Sequence, residues 1–387
     1  MRARTVYLAF SLLFFLSMYF RTFFAVIGPN MSRELALTPV EFGFLSSAFF
    51  ASFAAFQIPV GLMFDRFGCR TPMVVLTALG VMGAALMAAA TSFLTATIGH
   101  AMLGIGCSPA LMGVYFYYGR TQPWKTAART ATAIAAIGSL GALMSATPLE
   151  FAVSSIGWRY TAGVSTICLA VSAFLVGVCV PSVDKQKDSD KPVVAPDRTN
   201  RRFLLLLAPI FMSASLGTVF RSAWASPFLI NVVETTSQQA ANIFAVMSAA
   251  GTAASFMLPL AMRRWEPGPI IGALYISTIV LTLLLSLDTT QSTILSAVAL
   301  SSLYAIGNCH TLAMAEAQSH IAAKHRGAIL GALNGLGFVG VAAFSPLFGA
   351  IAKVLDQIEA FRLMFAVTAA ALALSLAAYM FRTRFRE

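Results

Sequence analysis

The chain has 387 residues, 58% hydrophobic and 11% charged, with a formal net charge of +11 and a mean hydropathy of +0.79. Soluble domains carry about 25% charged residues, so a soluble globule, a disordered chain and a disulfide-stapled module all fit poorly. The basic residues sit between apolar runs, which points to membrane topology and away from nucleic acid.

Twelve apolar stretches follow one another along the chain. They cover approximately 5–28, 41–63, 71–91, 93–116, 130–149, 160–180, 203–228, 240–262, 269–287, 291–315, 328–351 and 360–381. Each approaches the ~20 residues that a helix needs to cross the bilayer core. Hydrocarbon offers no partners to backbone amides, so each stretch is predicted to be a helix; the short alternating segments of a barrel are absent. The first stretch follows Arg2 and Arg4 but lacks a small-residue cleavage site and contains Arg21, so it is read as a retained helix and not as a signal peptide. Cys107, Cys168, Cys179 and Cys309 lie in apolar runs and Cys69 in a short basic loop, which predicts free thiols.

Orientation follows from the basic residues. With a cytoplasmic N-terminus, 20 Lys and Arg fall in inner segments, 4 (Arg33, Arg159, Lys353 and Arg362) in outer ones, and Arg21 and Arg221 inside stretches 1 and 7. The asymmetry predicts a multi-pass protein with both termini in the cytoplasm. Residues 181–202 are polar, charged and contain prolines, the composition of a flexible linker. They separate a bundle over 1–180 from one over 203–387. The halves echo each other near an offset of 200: Tyr19-Phe20-Arg21-Thr22 matches Val219-Phe220-Arg221-Ser222, and Arg66 matches Arg263-Arg264. The expected fold is an all-α membrane protein of two pseudo-symmetric six-helix bundles, an architecture of secondary transporters.

The loop after stretch 2 reads Gly61-Leu-Met-Phe-Asp65-Arg66-Phe-Gly68-Cys-Arg70. It resembles the G-x-x-x-D-R-x-G-x-R signature of the major facilitator superfamily, with every defining position filled. The preceding segment from Leu37 to Gly61 resembles the second helix of that family's organic-anion branch. The resemblance covers essentially the whole chain. It implies a twelve-helix carrier in which Gly61, Asp65, Arg66, Gly68 and Arg70 form a cytoplasmic gating motif, with Asp65 bonded to Arg66, Arg70 or Arg129 and the loop latched near Arg326-Gly327. Gly327, Gly331 and Gly335 have the four-residue spacing of close helix packing, as do the small residues around Gly138, Gly141, Gly104 and Gly106.

Arg21 and Arg221 stand at matching places deep in stretches 1 and 7, and Trp224 follows Arg221 on the same face. An arginine there costs at least ~2.5–3.5 kcal/mol, so it is expected to face a cavity and a partner and not merely to snorkel outward. Every Asp and Glu falls at a stretch end or in a loop, which leaves the substrate as the expected counter-charge. Guanidinium forks onto carboxylates and phosphates. Paired arginines on helices 1 and 7 resemble the substrate site of organophosphate and organic-anion members of the family. Arg21, Arg221, Trp224 and His310 are therefore the expected substrate residues, and a carrier of cationic drugs, which would use an intramembrane acid, is disfavoured.

Proton coupling has two candidates. The family's helix 4 signature places arginine where this chain has histidine, in His100-Ala-Met-Leu-Gly104. His310 is the other intramembrane histidine, and either can titrate near neutral pH or pack neutrally between helices. Tyr115, Tyr117 and Tyr118 are expected to anchor at the interface, and Asn308 and Asn334 to pack.

Phosphate loops, metal clusters and nucleophile triads are absent from the sequence, so no enzyme, cofactor or metal is expected. The leading expectation is a monomeric symporter or exchanger in the cell inner membrane. It would move a small organic anion, a carboxylate or phosphate ester, by alternating access with protons or a counter-anion. A peptide or zwitterion carrier and an exporter of anionic metabolites are alternatives. A non-transporting scaffold would have no use for buried arginines.

Overall fold

The computed structural model describes residues 2–181, 199–262, 264–287, 292–318, 320–321 and 326–382. Ten helices there are long and apolar enough to cross a membrane, and a pair bent by 42° makes an eleventh. The chain divides into two compact units, Met1–Leu37 with Phe44–Asp190 and Thr38–Gly43 with Lys191–Glu387. Of the expected linker, residues 182–198 lie outside the described residues.

The first unit contains α1 (Arg2–Glu34), most of α2 (Pro39–Phe67), α3 (Arg70–Ala88), α4 (Phe93–Cys107), α5 (Pro109–Thr121), α6 (Trp124–Met144), α7 (Thr147–Ile156) and α8 (Trp158–Cys179). Stretch 4 is thus two helices, α4 and α5, meeting at Ser108 before Pro109. Stretch 5 starts earlier than expected, at Trp124, and bends between α6 and α7. Pro148 in the first turn of α7 lacks the amide that would continue the ladder. Side chains close the open amides at other ends: Ser92 and Thr95 form a reciprocal capping box on α4.

Helix α8 shows why the bundle suits hydrocarbon. Ile167, Val171, Phe174 and Val178 form an exposed apolar stripe at helical spacing, 48–69% accessible, while Thr161, Ser165 and Ser172 face inward. Polar groups are inside and apolar ones outside, the reverse of a soluble helix. Arg159 ties the opposite end, donating to the Glu34 carboxylate at 2.8 Å and to the carbonyls of Ala88 and Ala90.

The second unit contains α9 (Arg201–Ala214), α10 (Leu216–Val219), a π-helical turn (Phe220–Trp224), α11 (Ala225–Asn231), α12 (Ser237–Ala261), α13 (Pro267–Leu287), α14 (Thr293–Ala305), a 3-10 turn (Ile306–Asn308), α15 (Cys309–Gln318), α16 (Arg326–Val354) and α17 (Gln357–Phe381). Stretch 7 is α9 through α11 with the π-turn inside it, and stretch 10 is α14 and α15 joined by the 3-10 turn. Thr236 and Gln239 cap α12 reciprocally, and Asp356 caps α17.

The glycines divide into two groups. Gly104 and Gly106 press against the Phe49 carbonyl and the Gly80 backbone, and Gly138 and Gly141 against Phe14 and Phe15 of α1, as close helix contact requires. Gly331 and Gly335 instead have nothing within 4 Å of a Cβ position, so the expected packing role at those two positions is not found. The close approaches of α16 are at Gly340, where a Cβ would lie 2.7 Å from the Met212 carbonyl, and at Gly349, where it would lie 2.5 Å from the Pro39 carbonyl. The Gly327 side chain position lies outside those described. All five cysteines are free, and Cys69 is buried.

Candidate functional site

In the second unit the sequence places Arg221 within the π-turn, a local widening of the helix frequent at functional sites. The side chain is 0% exposed. Its Nε donates to Ser248 Oγ at 3.1 Å, and its guanidinium lies 5.1 Å from the Phe244 ring. Trp224 closes the same turn, 3% exposed, and its indole N–H donates to Ser345 Oγ at 2.8 Å. Arg221 and Trp224 lie in the same π-turn, and their hydrogen-bond partners Ser248 and Ser345 sit on α12 and α16.

Helix α12 carries what the sequence reading missed. Ser248, Gly251 and Ser255 fall on one face at i, i+3, i+7 spacing. Ser248 bonds Arg221, the Gly251 carbonyl accepts from Asn308 Nδ2 at 3.0 Å, and Ser255 donates to Asn308 Oδ1 at 2.7 Å. The tiny Gly251 admits the Tyr304 ring, 2.7 Å from a Cβ position. One helix face thus links the π-turn to the 3-10 turn. Asn308 is a packing residue with both ends of its amide engaged, as expected. His310 follows it, partly exposed, with Nδ1 bonded to the Gly307 carbonyl.

In the first unit Arg21 lies with its guanidinium 4.8 Å from the Phe53 ring and is less buried than Arg221. Nearby in sequence on α1, Tyr19 pairs with Ser165 at 2.9 Å, Thr22 with Ser145, and Ser17 donates to the Cys107 carbonyl at 3.2 Å. His100 is 2% exposed, flanked by Phe24 and Phe49, with Nδ1 on the Leu45 carbonyl at 2.8 Å. That setting matches the packing reading of His100 better than the coupling one.

The loop motif spans the junction of α2 and α3. Gly68 has φ +70°, a left-handed conformation that side chains resist, so the second glycine of the motif is a turn requirement. Asp65 pairs with Arg120 of α5 at 3.5 Å, and not with Arg66, Arg70 or Arg129 as expected. The reason is reach: α5 brings Arg120 back to the end of α2, and Phe116 supports its guanidinium at 3.8 Å. Arg66 turns onto Phe67. The placement of the Arg326 side chain and of its neighbour Gly327 lies outside what is described, and with it the expected latch.

Glu316 stands in the last turn of α15, a helix end as expected, but its burial was not anticipated: its side chain is 6% exposed and paired with Arg382 at 2%. Tyr118, expected at an interface, is buried against Phe10, while Tyr115 is 57% exposed.

No cluster of His, Cys, Asp or Glu able to hold a metal occurs among the described residues. Each unit, taken by itself, sets one guanidinium against an aromatic ring: Arg21 on Phe53 and Arg221 on Phe244.

Residues 10–345 match the family model of the Major Facilitator Superfamily. A segment of 95 residues is 33% identical to the probable sulfoacetate transporter SauU of Cupriavidus necator; it covers 24% of this chain and only 22% of that protein's length. Among solved structures, a D-xylose–proton symporter aligns with a TM-score of 0.80 at 12% identity, over 100% of this chain and 98% of that one. A bacterial homolog of the human lysosomal transporter Spinster, inward-facing and unoccupied, gives 0.77 at 17% identity, over 99% and 97%. The nucleoside transporter NupG gives 0.78 at 12%, over 97% and 99%. At these identities the likeness shows the fold.

Proposed function

This chain belongs to the Major Facilitator Superfamily, and we propose that it is a secondary active transporter of a small organic anion. The observation that carries the reading is Arg221, a guanidinium wholly buried in a membrane-spanning unit and oriented by Ser248 from a π-turn. A buried arginine at such depth is costly and marks a substrate or ion pathway. Arg21 holds the matching place in the first unit, with its guanidinium on the Phe53 ring. Planar guanidinium favours carboxylate, sulfonate and phosphate groups through paired hydrogen bonds. The local similarity to a sulfoacetate transporter supports the same class.

Trp224 supplies an apolar wall beside Arg221, and His310 a titratable group near the 3-10 turn, a candidate carrier of a coupled proton. Counter-anion exchange would serve if His310 does not titrate in the cycle. The 20 inner basic residues support cytoplasmic termini in a cell inner membrane.

The test is uptake by proteoliposomes of small carboxylates, sulfonates and phosphate esters against neutral sugars and cationic amines. Accumulation of an acid class, lost in Arg21→Lys and Arg221→Lys, supports the reading. Transport of neutral or cationic solutes with indifference to both substitutions overturns it.

A further inference from the structure

At the rim of the second unit, α11, α13 and α17 leave a cleft lined by Phe228, Val232, Leu285, Phe361, Phe365 and Arg362. Five of these are apolar and buried. The sixth, Arg362, has a buried Nε that makes no hydrogen bond. Glu359, one turn earlier on α17, forms no ion pair with it; its carboxylate lies at the helix start beyond the Asp356 cap. A buried guanidinium donor in an apolar cleft calls for an acceptor.

The surroundings say what kind of molecule brings it. Ile358, also lining the cleft, is 41% exposed, and on the same two helices Leu363 of α17 and Leu284 and Leu287 of α13 are 42%, 47% and 74% exposed. This is a surface made for acyl chains. Arg362 stands in the second turn of α17, less than ~10 Å along the axis from its start at Gln357, a depth suited to a headgroup. The cleft offers a bare inorganic anion no second polar side chain, so that anion would lose its hydration without replacement. An amphiphile meets both halves of the site.

We propose that this cleft binds an anionic phospholipid, with the phosphodiester on Arg362 and the first part of an acyl chain against Phe228, Phe361 and Ile358. The lipid would cement α11, α13 and α17, because Phe228 meets both Phe361 and Phe365 along the same wall, tilted against the first and edge-on to the second. This site is separate from Arg221 and does not depend on which substrate is carried.

The experiment uses the purified full chain in detergent, with bound lipid counted by native mass spectrometry and unfolding followed by heating. The probes are dioleoyl phosphatidylglycerol, dioleoyl phosphatidylcholine, inorganic phosphate and glycerol phosphate. Phosphatidylglycerol should be retained as a discrete adduct and raise Tm, phosphatidylcholine less, and the two water-soluble phosphates not at all. Arg362→Gln should bind phosphatidylglycerol at least tenfold more weakly. Ile358→Gln, at an exposed lining residue, gives a second variant that should weaken it several-fold if the first fails to fold. Equal retention by both variants and wild type would mean ordinary annular lipid, and an equal response to inorganic phosphate would mean a soluble-anion site. Either result overturns the proposal.

Discussion

Arg382 grips Glu316 with two nitrogens: Nη2 reaches both carboxylate oxygens at 2.8 Å and Nε reaches Oε1 at 3.1 Å. The Tyr379 hydroxyl donates to the second oxygen at 3.0 Å, and its ring lies 3.3 Å from the guanidinium carbon. The pair joins α15 to the end of α17 in a buried setting. Removing one charge strands the other, which typically costs about 3–5 kcal/mol. Glu316→Gln should therefore lower stability by about that amount in detergent unfolding, and Glu316→Leu with Arg382→Met should recover much of the loss. A single variant as stable as wild type would show that the pair is dispensable.

The proposed anion site at Arg221 makes a different demand. Arg221→Lys keeps the charge and loses the fork. A hydrogen bond to a charged group contributes about 1.5–3 kcal/mol, so anion affinity should fall roughly tenfold or more. Ser248→Ala leaves Arg221 in place and removes the bond that orients its plane, so affinity should fall several-fold with little change in fold. Binding titrations on purified protein read both, and unchanged affinity in both would remove Arg221 from the site.

What was legible in the sequence, and what was not, follows from the range of each signal. Apolar length and the spacing of Arg and Lys are local, so the membrane stretches stood out, and Gly68 could be read from a motif because its turn is local too. The pairings are not local. Glu316 and Arg382 lie 66 residues apart, and Asp65 meets an arginine that α5 carries back to it. The π-turn around Arg221 leaves no mark in composition. The stripe Ser248, Gly251 and Ser255 was readable as a spacing, but three small residues in an apolar helix also suit plain packing.

Glycine packing can be tested by contrast. Gly340→Ala should destabilise by about 1–3 kcal/mol, since its Cβ would meet the Met212 carbonyl and Ser215. Gly331→Ala has open space and should be neutral or slightly stabilising, because alanine is the better helix former. Equal effects in thermal unfolding would contradict the two environments.

Asp65→Asn separates stability from turnover. The Asp65 carboxylate is 70% exposed, and its pair with Arg120 spans 3.5 Å, so the static contribution is at most ~1 kcal/mol. If the motif gates the cycle, uptake rate should drop severalfold or more while substrate affinity and Tm stay close to wild type. Normal turnover would leave the carboxylate as a surface charge.

The two intramembrane histidines should part ways. His100 is enclosed by Phe24 and Phe49 and bonded to the Leu45 carbonyl, so charging it would place a cation among rings and backbone with no acid alongside. His100→Gln should therefore lower stability and leave the pH dependence of transport unchanged. His310 is partly exposed and sits at the 3-10 turn, where its Nδ1 bonds the Gly307 carbonyl. That bond fixes the ring and assigns the exchangeable proton to Nε2. His310→Gln keeps a hydrogen-bonding side chain but cannot titrate. Uptake measured from pH 5.5 to 8.5 should then lose its slope in His310→Gln and keep it in His100→Gln. A profile unchanged in both variants would assign His310 to packing and favour exchange against a counter-anion.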